Sequence, residues 1–397
     1  MARAVKFEGR PTWAEIHLGA LQHNLRAIRQ HIKDPSGGKR KILAVVKANA
    51  YGLGAVPVAK ALAKAGADWF GVTCPSEGVE LREAGIRQPI LVLTGFWRGE
   101  EKALIEHHLT PAITRCEQLH YLQRAAKSLA ARGKRKRSGE LGFHLKIDTG
   151  MNRLGILPSD VDCFVRALAE CPHLRLEGTF THFASSEVFT AEQTECQEKN
   201  FQGALERLRE VGINPGIVHM ANSAAVAARP STWADMVRPG AVLYGYHQFY
   251  DPPERKAEIE ARLPLQPALS LRTRLVSLRN VPPGAGVGYN GRFVARQPSR
   301  IAVLALGYAD GLPRALSNQG RVIIRGQFAP LVGTVSMDLS MVDVTGVEGV
   351  EVGDVATIYG SDGPATQHVS DAAHILGTVT SDLLCALGRR IPRFYLP

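Results

Sequence analysis

Eight short apolar runs, separated by helix-like stretches, recur between residues 40 and 245 and constrain the fold more than any other feature of this 397-residue chain. They are Ile42–Val46, Trp69–Thr73, Ile90–Thr94, Thr110–Thr114, Phe143–Ile147, Leu176–Thr181, Ile217–His219 and Met236–Val237. Between them lie Val56–Ala65, Glu101–His107, Cys116–Ala131, Asp160–Ala169, Ala191–Val211 and Ser223–Ala228. Near-continuous apolar strands that alternate with helices require a parallel sheet covered on both faces. Eight such units in about 230 residues predict a closed (β/α)8 TIM barrel, with a doubly wound open sheet as the competing α/β arrangement.

From about residue 265 the texture changes. Leu269–Leu278, Ser299–Leu306, Arg321–Gly326, Pro330–Asp343 and Val352–Tyr359 are strand-like and separated by turn signals such as Asp310-Gly311 and Asn318-Gln319-Gly320. This predicts a mostly β C-terminal domain that closes with one helix near Thr378–Leu387. The Pro- and charge-rich segment Asp251–Pro267 reads as the junction. The expected domains are therefore residues 12–255 and 256–397, with residues 1–11 packing on the second.

Composition excludes several classes. Hydrophobic residues make up 45% and charged residues 21%, the mix of a folded globular chain and not of a disordered one. No apolar run approaches the roughly 18 residues that span a bilayer, and Met1–Pro11 lacks the apolar core of a secretory signal. The six cysteines are scattered without a CxxC pair, which predicts reduced thiols in a cytoplasm and neither a disulfide frame nor a metal site. The net charge of +11 admits nucleic acid as a ligand. However, five of those charges fall in Arg132–Arg137, a run without aromatics that reads as a solvated loop.

In a barrel, the carboxyl ends of the strands form the catalytic rim. Lys47 directly follows the first run. A desolvated lysine there has a lowered pKa and can form a Schiff base with an aldehyde, whereas the structural alternative is a lysine snorkelling outward. The placement repeats. Lys146 and Asp148 close strand five with Arg153 just beyond, His182 ends strand six, His219 ends strand seven, and Arg238 closes strand eight. Singly, each would pass as a buried structural group, but in a barrel they would all converge on one mouth. Ser223, at a helix start after strand seven, and Gly240 with Ala241, after strand eight, stand where barrel enzymes bind phosphate. A reactive lysine and a phosphate cradle on one rim point to pyridoxal 5'-phosphate (PLP).

The motifs Ala44-Val-Val-Lys-Ala-Asn-Ala-Tyr-Gly, Lys146-Ile-Asp-Thr-Gly-Met-Asn-Arg-Leu-Gly, Thr181-His-Phe-Ala, His219-Met-Ala-Asn-Ser and Val237-Arg-Pro-Gly resemble the PLP-dependent alanine racemase family. So do Gly286-Val-Gly-Tyr, Gly307-Tyr-Ala-Asp-Gly and Gly333-Thr-Val-Ser-Met-Asp, in order from about Trp13 to Arg393. The resemblance implies a barrel followed by a β domain, a homodimer with shared sites, and interconversion of L- and D-alanine that supplies D-alanine for peptidoglycan. It implies that Lys47 holds PLP and serves as one base, and that Tyr289 from the partner chain is the other. Two bases on opposite faces suit racemisation, because one alone tends to return the proton to the side it left. His182, held by Arg238, would tune Tyr289, since tyrosine near pKa of about 10 is a poor base. Arg238 matches the group at the pyridine nitrogen. Tyr51, Asn222, Ser223, Gly240 and Ala241 match cofactor-binding positions, and Arg153 matches the residue that binds the cofactor's phenolic oxygen and the substrate carboxylate. Met337 and Tyr308 match the partner's substrate entrance, and Lys146 a lysine often carbamylated (N6-carboxylated). No metal is implied.

Three positions depart from the pattern: Leu53 stands for a frequent histidine, Ser336 for a frequent cysteine, and Ser381 for a phosphate-binding tyrosine. The last bears on phosphate anchoring and substrate preference, which keeps a serine or broad-specificity racemase as the alternative. A PLP decarboxylase of similar architecture uses a glycine run and an acidic group at the pyridine nitrogen, and this chain has neither.

Overall fold

The computed structural model describes residues 10–34, 36–131 and 141–397, so the basic run Arg132–Arg137 lies outside the described residues. Within residues 21–266 the eight expected strands all form, as Lys41–Val45, Trp69–Val72, Ile90–Val92, Thr110–Ile113, Leu141–Lys146, Leu174–Phe180, Ile217–His219 and Met236–Val237. They pair in parallel, each with its neighbour from the seventh back to the first, and the first pairs with the eighth. Single bonds join the seventh and eighth strands: Asp235 N–H to Val218 O at 3.1 Å, and Arg238 N–H to Ala221 O at 3.0 Å. Such a ring has no free edge. This is the TIM barrel predicted from the apolar runs. Phe70, Phe143, Phe180, Leu43, Ile90 and Ile113 of these strands are all buried, and Phe143 packs against Phe164 of the helix Val161–Ala169.

Three helices were not foreseen: Leu18–His31, Pro75–Glu83 and Arg255–Arg262. The last lies inside the segment expected to be a bare junction. Its apolar anchor Ile259 is buried and its Glu258–Arg262 and Lys256–Glu260 pairs have helical spacing.

The second unit is mostly β, as expected. Contacts group the described part of Met1–Ala20, Tyr51–Gly54 and Pro267–Pro397 together. This unit includes Thr12–His17, and its longest part begins at Pro267. The physical reason is pairing. Thr12–His17 runs antiparallel to Leu269–Val281 and parallel to Arg393–Leu396. The Thr12 hydroxyl lies 2.7 Å from that of Thr273. Two elements differ from expectation. The single strand expected over Pro330–Asp343 is two, Gln327–Pro330 and Ser340–Asp343, with a loop between them. The closing helix expected near Thr378–Leu387 forms as Thr380–Cys385, but a further helix, Val369–Leu376, precedes it, and Gly377 at φ 61° separates the two. Glycine adopts this left-handed conformation without steric cost.

Candidate active site

The chain leaves the first barrel strand in an unusual way. Ala48, Asn49, Ala50 and Tyr51, directly after Lys47, all have φ between 52° and 55°, a full left-handed turn. Each non-glycine residue held there costs about 1–2 kcal/mol, so the surroundings must impose it. The Glu77 carboxylate does much of this: one oxygen accepts from Ala48 N–H and the other from Thr73 N–H, both at 2.7 Å. Asn49 Oδ1 accepts from Ala55 N–H at 2.7 Å, and Ala50 N–H donates to Val46 O at 2.9 Å. Lys47 itself is half-buried at the strand end. Glu77 was not foreseen. Its signal was the helix start Cys74-Pro-Ser-Glu, with proline in the first turn and an acid beside the N-terminus.

Beyond strand five, Asp148 shapes the loop that carries Arg153. Its Oδ1 accepts from the amides of Gly150, Met151 and Asn152, and its Oδ2 from Arg153 N–H at 2.7 Å. Burial pushes the carboxyl pKa upward, but the four amides outweigh it and hold it below its ordinary value. Gly155, at φ 130°, closes the loop, since a Cβ there would stand 2.6 Å from Asp148 N. Arg153 is thus presented, exposed, at the rim. Gln197 braces strands five and six from outside. It donates to Thr149 Oγ1 and to His182 O, and accepts from Ala184 N–H.

Arg238 is buried in the barrel mouth. One Nη donates to Thr181 O at 2.6 Å and Met220 O at 3.0 Å, and approaches His182 Nδ1 at 3.4 Å. The other Nη lies 3.0 Å from His219 Nδ1, and His219 Nε2 lies 2.8 Å from His144 Nδ1. Burial alone lowers the Arg238 pKa to about 9, which leaves it cationic at neutral pH. Burial, then the Arg238 charge, pushes His182 and His219 well below their ordinary value, so both are neutral. The Phe180 ring stacks on His219 at 4.8 Å and carries Lys146 Nζ and Arg238 Cζ over it at 5.6 and 5.3 Å. Lys146 is lowered to about 8 by burial, then by Arg153 and Arg238.

At the ends of strands seven and eight, Gly240 N–H donates to Ser223 Oγ at 2.8 Å, which joins the two expected phosphate loops. Asn222, expected to touch a cofactor, caps the helix Ser223–Ala228: its Oδ1 accepts from Ala225 N–H and from Ser186 Oγ. Ala241 opens the short 3-10 turn Ala241–Tyr244.

The remaining predicted residues lie in the β unit. Tyr51 ends the left-handed turn, and burial, then the nearby Cys385 thiol, pushes its phenol upward. The chain beside it is tied to the C-terminal strand, with Arg393 Nε donating to Gly52 O and Tyr395 Oη to Leu53 O. Tyr289 is 69% exposed, Met337 53% and Tyr308 43%. Tyr308 N–H donates to Ser336 O and Ala309 N–H to Met337 O, both at 3.0 Å, so Tyr308 and Met337 share one paired loop. Ser381 occupies the first turn of Thr380–Cys385. Among the described residues no His, Cys, Asp and Glu cluster is suited to a metal, and no helix is long and apolar enough to cross a membrane.

Comparison with known proteins matches this arrangement over the whole chain. The model of the alanine racemase N-terminal domain matches residues 16–248, and that of the alanine racemase C-terminal domain residues 268–395. The alanine racemase of Geobacter sp. (strain M21) is 40% identical over 395 residues, 98% of this chain and 100% of that protein. The solved structure of alanine racemase from Bacillus anthracis with bound L-Ala-P is 32% identical with a TM-score of 0.86, covering 99% of this chain and 96% of that one. Alanine racemase from Bartonella henselae with covalently bound pyridoxal phosphate is 28% identical with a TM-score of 0.84, covering 98% and 100%. On this full-length evidence the chain belongs to the alanine racemase family and is an enzyme of the isomerase class.

Proposed function

We propose that the chain is a PLP-dependent alanine racemase with two bases, Lys47 and the partner's Tyr289. The observation that carries this reading is the convergence of Lys47, Lys146, Arg153, His182, Arg238 and the Ser223–Gly240 corner at the carboxyl ends of one parallel barrel. Their chemistry fits the cofactor. The Ser223 hydroxyl accepts from Gly240 N–H and so keeps its own proton to donate, which with the Ala241 amide and Tyr51 suits a phosphate ester. Arg238 suits an aromatic nitrogen that must stay unprotonated, because a guanidinium donates a hydrogen bond without giving up its proton. When bound, PLP supplies an electron-withdrawing ring that acidifies the α-hydrogen of an amino acid.

The chain's own groups then divide the work. Lys47 Nζ takes and returns a proton on one face of the substrate, and the phenol oxygen of the partner's Tyr289 does so on the other. His182 accepts from Arg238 at Nδ1, which leaves Nε2–H to donate to that phenol oxygen and favour its deprotonated form. Arg153 holds the substrate carboxylate. Lys146, where burial and neighbouring cations favour the neutral amine, is suited to carbamylation, and the resulting anion would orient Arg153. The exposure of Tyr289, Tyr308 and Met337 supports a homodimer in which each β unit completes the other chain's site. The β domain boundary and this sharing belong to the same proposal. None of the six cysteines is in a disulfide, which supports a cytoplasmic location, and the D-alanine formed would enter peptidoglycan.

The purified protein is expected to be yellow, and Lys47→Ala to abolish both the colour and D/L exchange. A colourless, inactive wild-type protein would refute the proposal. Exchange rates for alanine, serine and larger amino acids test the substrate. Serine or broad specificity is the second reading, favoured by Ser381, and faster turnover of serine or lysine than of alanine would establish it.

A further inference from the structure

One buried polar group in the barrel has no part in the proposed chemistry. His144, on the fifth strand, is fully buried, and its Nε2 has no hydrogen-bond partner among the described residues. Its ring is accommodated because residue 178 is glycine: a Cβ there would stand 2.6 Å from His144 Cε1 and 2.8 Å from Nδ1. The Trp69 ring packs at 5.1 Å, tilted by 52°. An unpaired N–H in such a place is expensive, so it calls for an explanation.

The protons can be placed by following the chain of contacts from its cationic end. A guanidinium only donates, so His219 Nδ1 accepts from Arg238 at 3.0 Å. A neutral His219 therefore carries its proton on Nε2 and donates it to His144 Nδ1 at 2.8 Å. His144 in turn carries its proton on Nε2, the unpaired atom. Burial and then Arg238 lower its pKa to about 3, so it stays neutral. In the opposite tautomer of His219, an N–H would face the guanidinium N–H, donor against donor.

We propose that His144 is a positioning residue for Arg238. By accepting from His219 Nε2–H it fixes the one tautomer whose Nδ1 can receive the guanidinium, and so sets the direction in which Arg238 presents itself at the cofactor ring. This rests on the role given to Arg238 above. The unpaired Nε2–H is the cost of that direction.

The test is 15N spectroscopy of the holoenzyme labelled at histidine, which reports which ring nitrogens carry protons. Wild-type His219 and His144 should both be neutral with the proton on Nε2. In His144→Asn the side-chain oxygen takes the place of Nδ1, so the His219 pattern should persist and kcat should stay within a few-fold. In His144→Leu the acceptor is gone. The His219 proton should then spread over both nitrogens, the cofactor's absorption band should shift, and kcat should fall about 10- to 100-fold with KM little changed. A wild-type proton on His219 Nδ1, or a His144→Leu protein with an unaltered tautomer, would overturn the proposal. Should the leucine variant not fold, the wild-type and asparagine spectra still decide it. The ring-nitrogen pattern belongs to the protein, so it is readable even if the cofactor assignment fails, and the two failures are distinguishable.

Discussion

Lys146 is 6% exposed and lies among Arg153, Arg238 and Lys47, an arrangement that penalises its charged form. Its pKa of about 8 stands below the ordinary 10.5. Between those values the unfolded chain binds a proton that the folded chain does not, so the unmodified protein gains stability as pH rises from about 8 to 10.5. Below about 8 the full penalty is present. On the proposed reading, the same neutral amine would attack carbon dioxide, forming a nitrogen–carbon bond as a C=O π bond opens and releasing a proton, and the carbamate would face Arg153 as an anion. A 13C carbamate signal from labelled bicarbonate should grow as pH rises through about 8 and vanish in Lys146→Ala; no such signal in the wild type would exclude the modification. A second residue-scale expectation concerns Gly178, where an added Cβ would also meet Ile217 O at 2.7 Å. Gly178→Ala should destabilise the fold by about 1–3 kcal/mol, read as a lower denaturant midpoint. Lys146 is legible in the sequence because a lysine ending an apolar strand is chemically out of place. Gly178 and His144 are not, since a glycine and a histidine inside a strand signal nothing until the neighbouring strands bring them into contact.

At the scale of elements, the barrel strands were legible because each is a continuous apolar run. The left-handed turn after Lys47 was not. Its residues Ala48-Asn-Ala-Tyr carry no local preference for that conformation beyond Asn49, and Ala is a good helix former. Tertiary contacts override the local preference, chiefly the Glu77 carboxylate that receives Ala48 N–H and Thr73 N–H together. Glu77→Gln keeps the size of the side chain but replaces one acceptor oxygen with an amide NH2, a donor that would face a backbone N–H. Loss of one charge-assisted bond is worth about 1.5–3 kcal/mol, and here it releases the turn that follows Lys47. The variant should therefore lose stability by roughly that amount and racemise about 10-fold more slowly or worse. Glu77→Gln with wild-type stability and rate would show that the turn is held by its other contacts.

At the scale of the whole molecule, the order barrel then β domain was readable from the change in hydrophobic period near residue 265, but the assignment of the N-terminal strand was not. Thr12–His17 is six residues long, and its partners Leu269–Val281 and Arg393–Leu396 lie more than 250 residues away in sequence. No local pattern announces so distant a pairing. The same β unit exposes Tyr289, Tyr308 and Met337, large side chains that a lone chain leaves in water. If each β unit instead completes the partner's barrel mouth, the two bases of one site come from different chains, and mutations in them must complement. A Lys47→Ala chain paired with a Tyr289→Ala chain forms one site with both bases and one with neither. Random exchange of equal amounts makes about half the dimers mixed, so the mixture should recover about a quarter of wild-type activity while each variant alone stays inactive. Recovery should depend on the exchange of subunits and rise after dilution and reassociation. If no activity returns although mass spectrometry shows mixed dimers, Lys47 and Tyr289 do not meet across the interface, and the second base must be sought within the same chain.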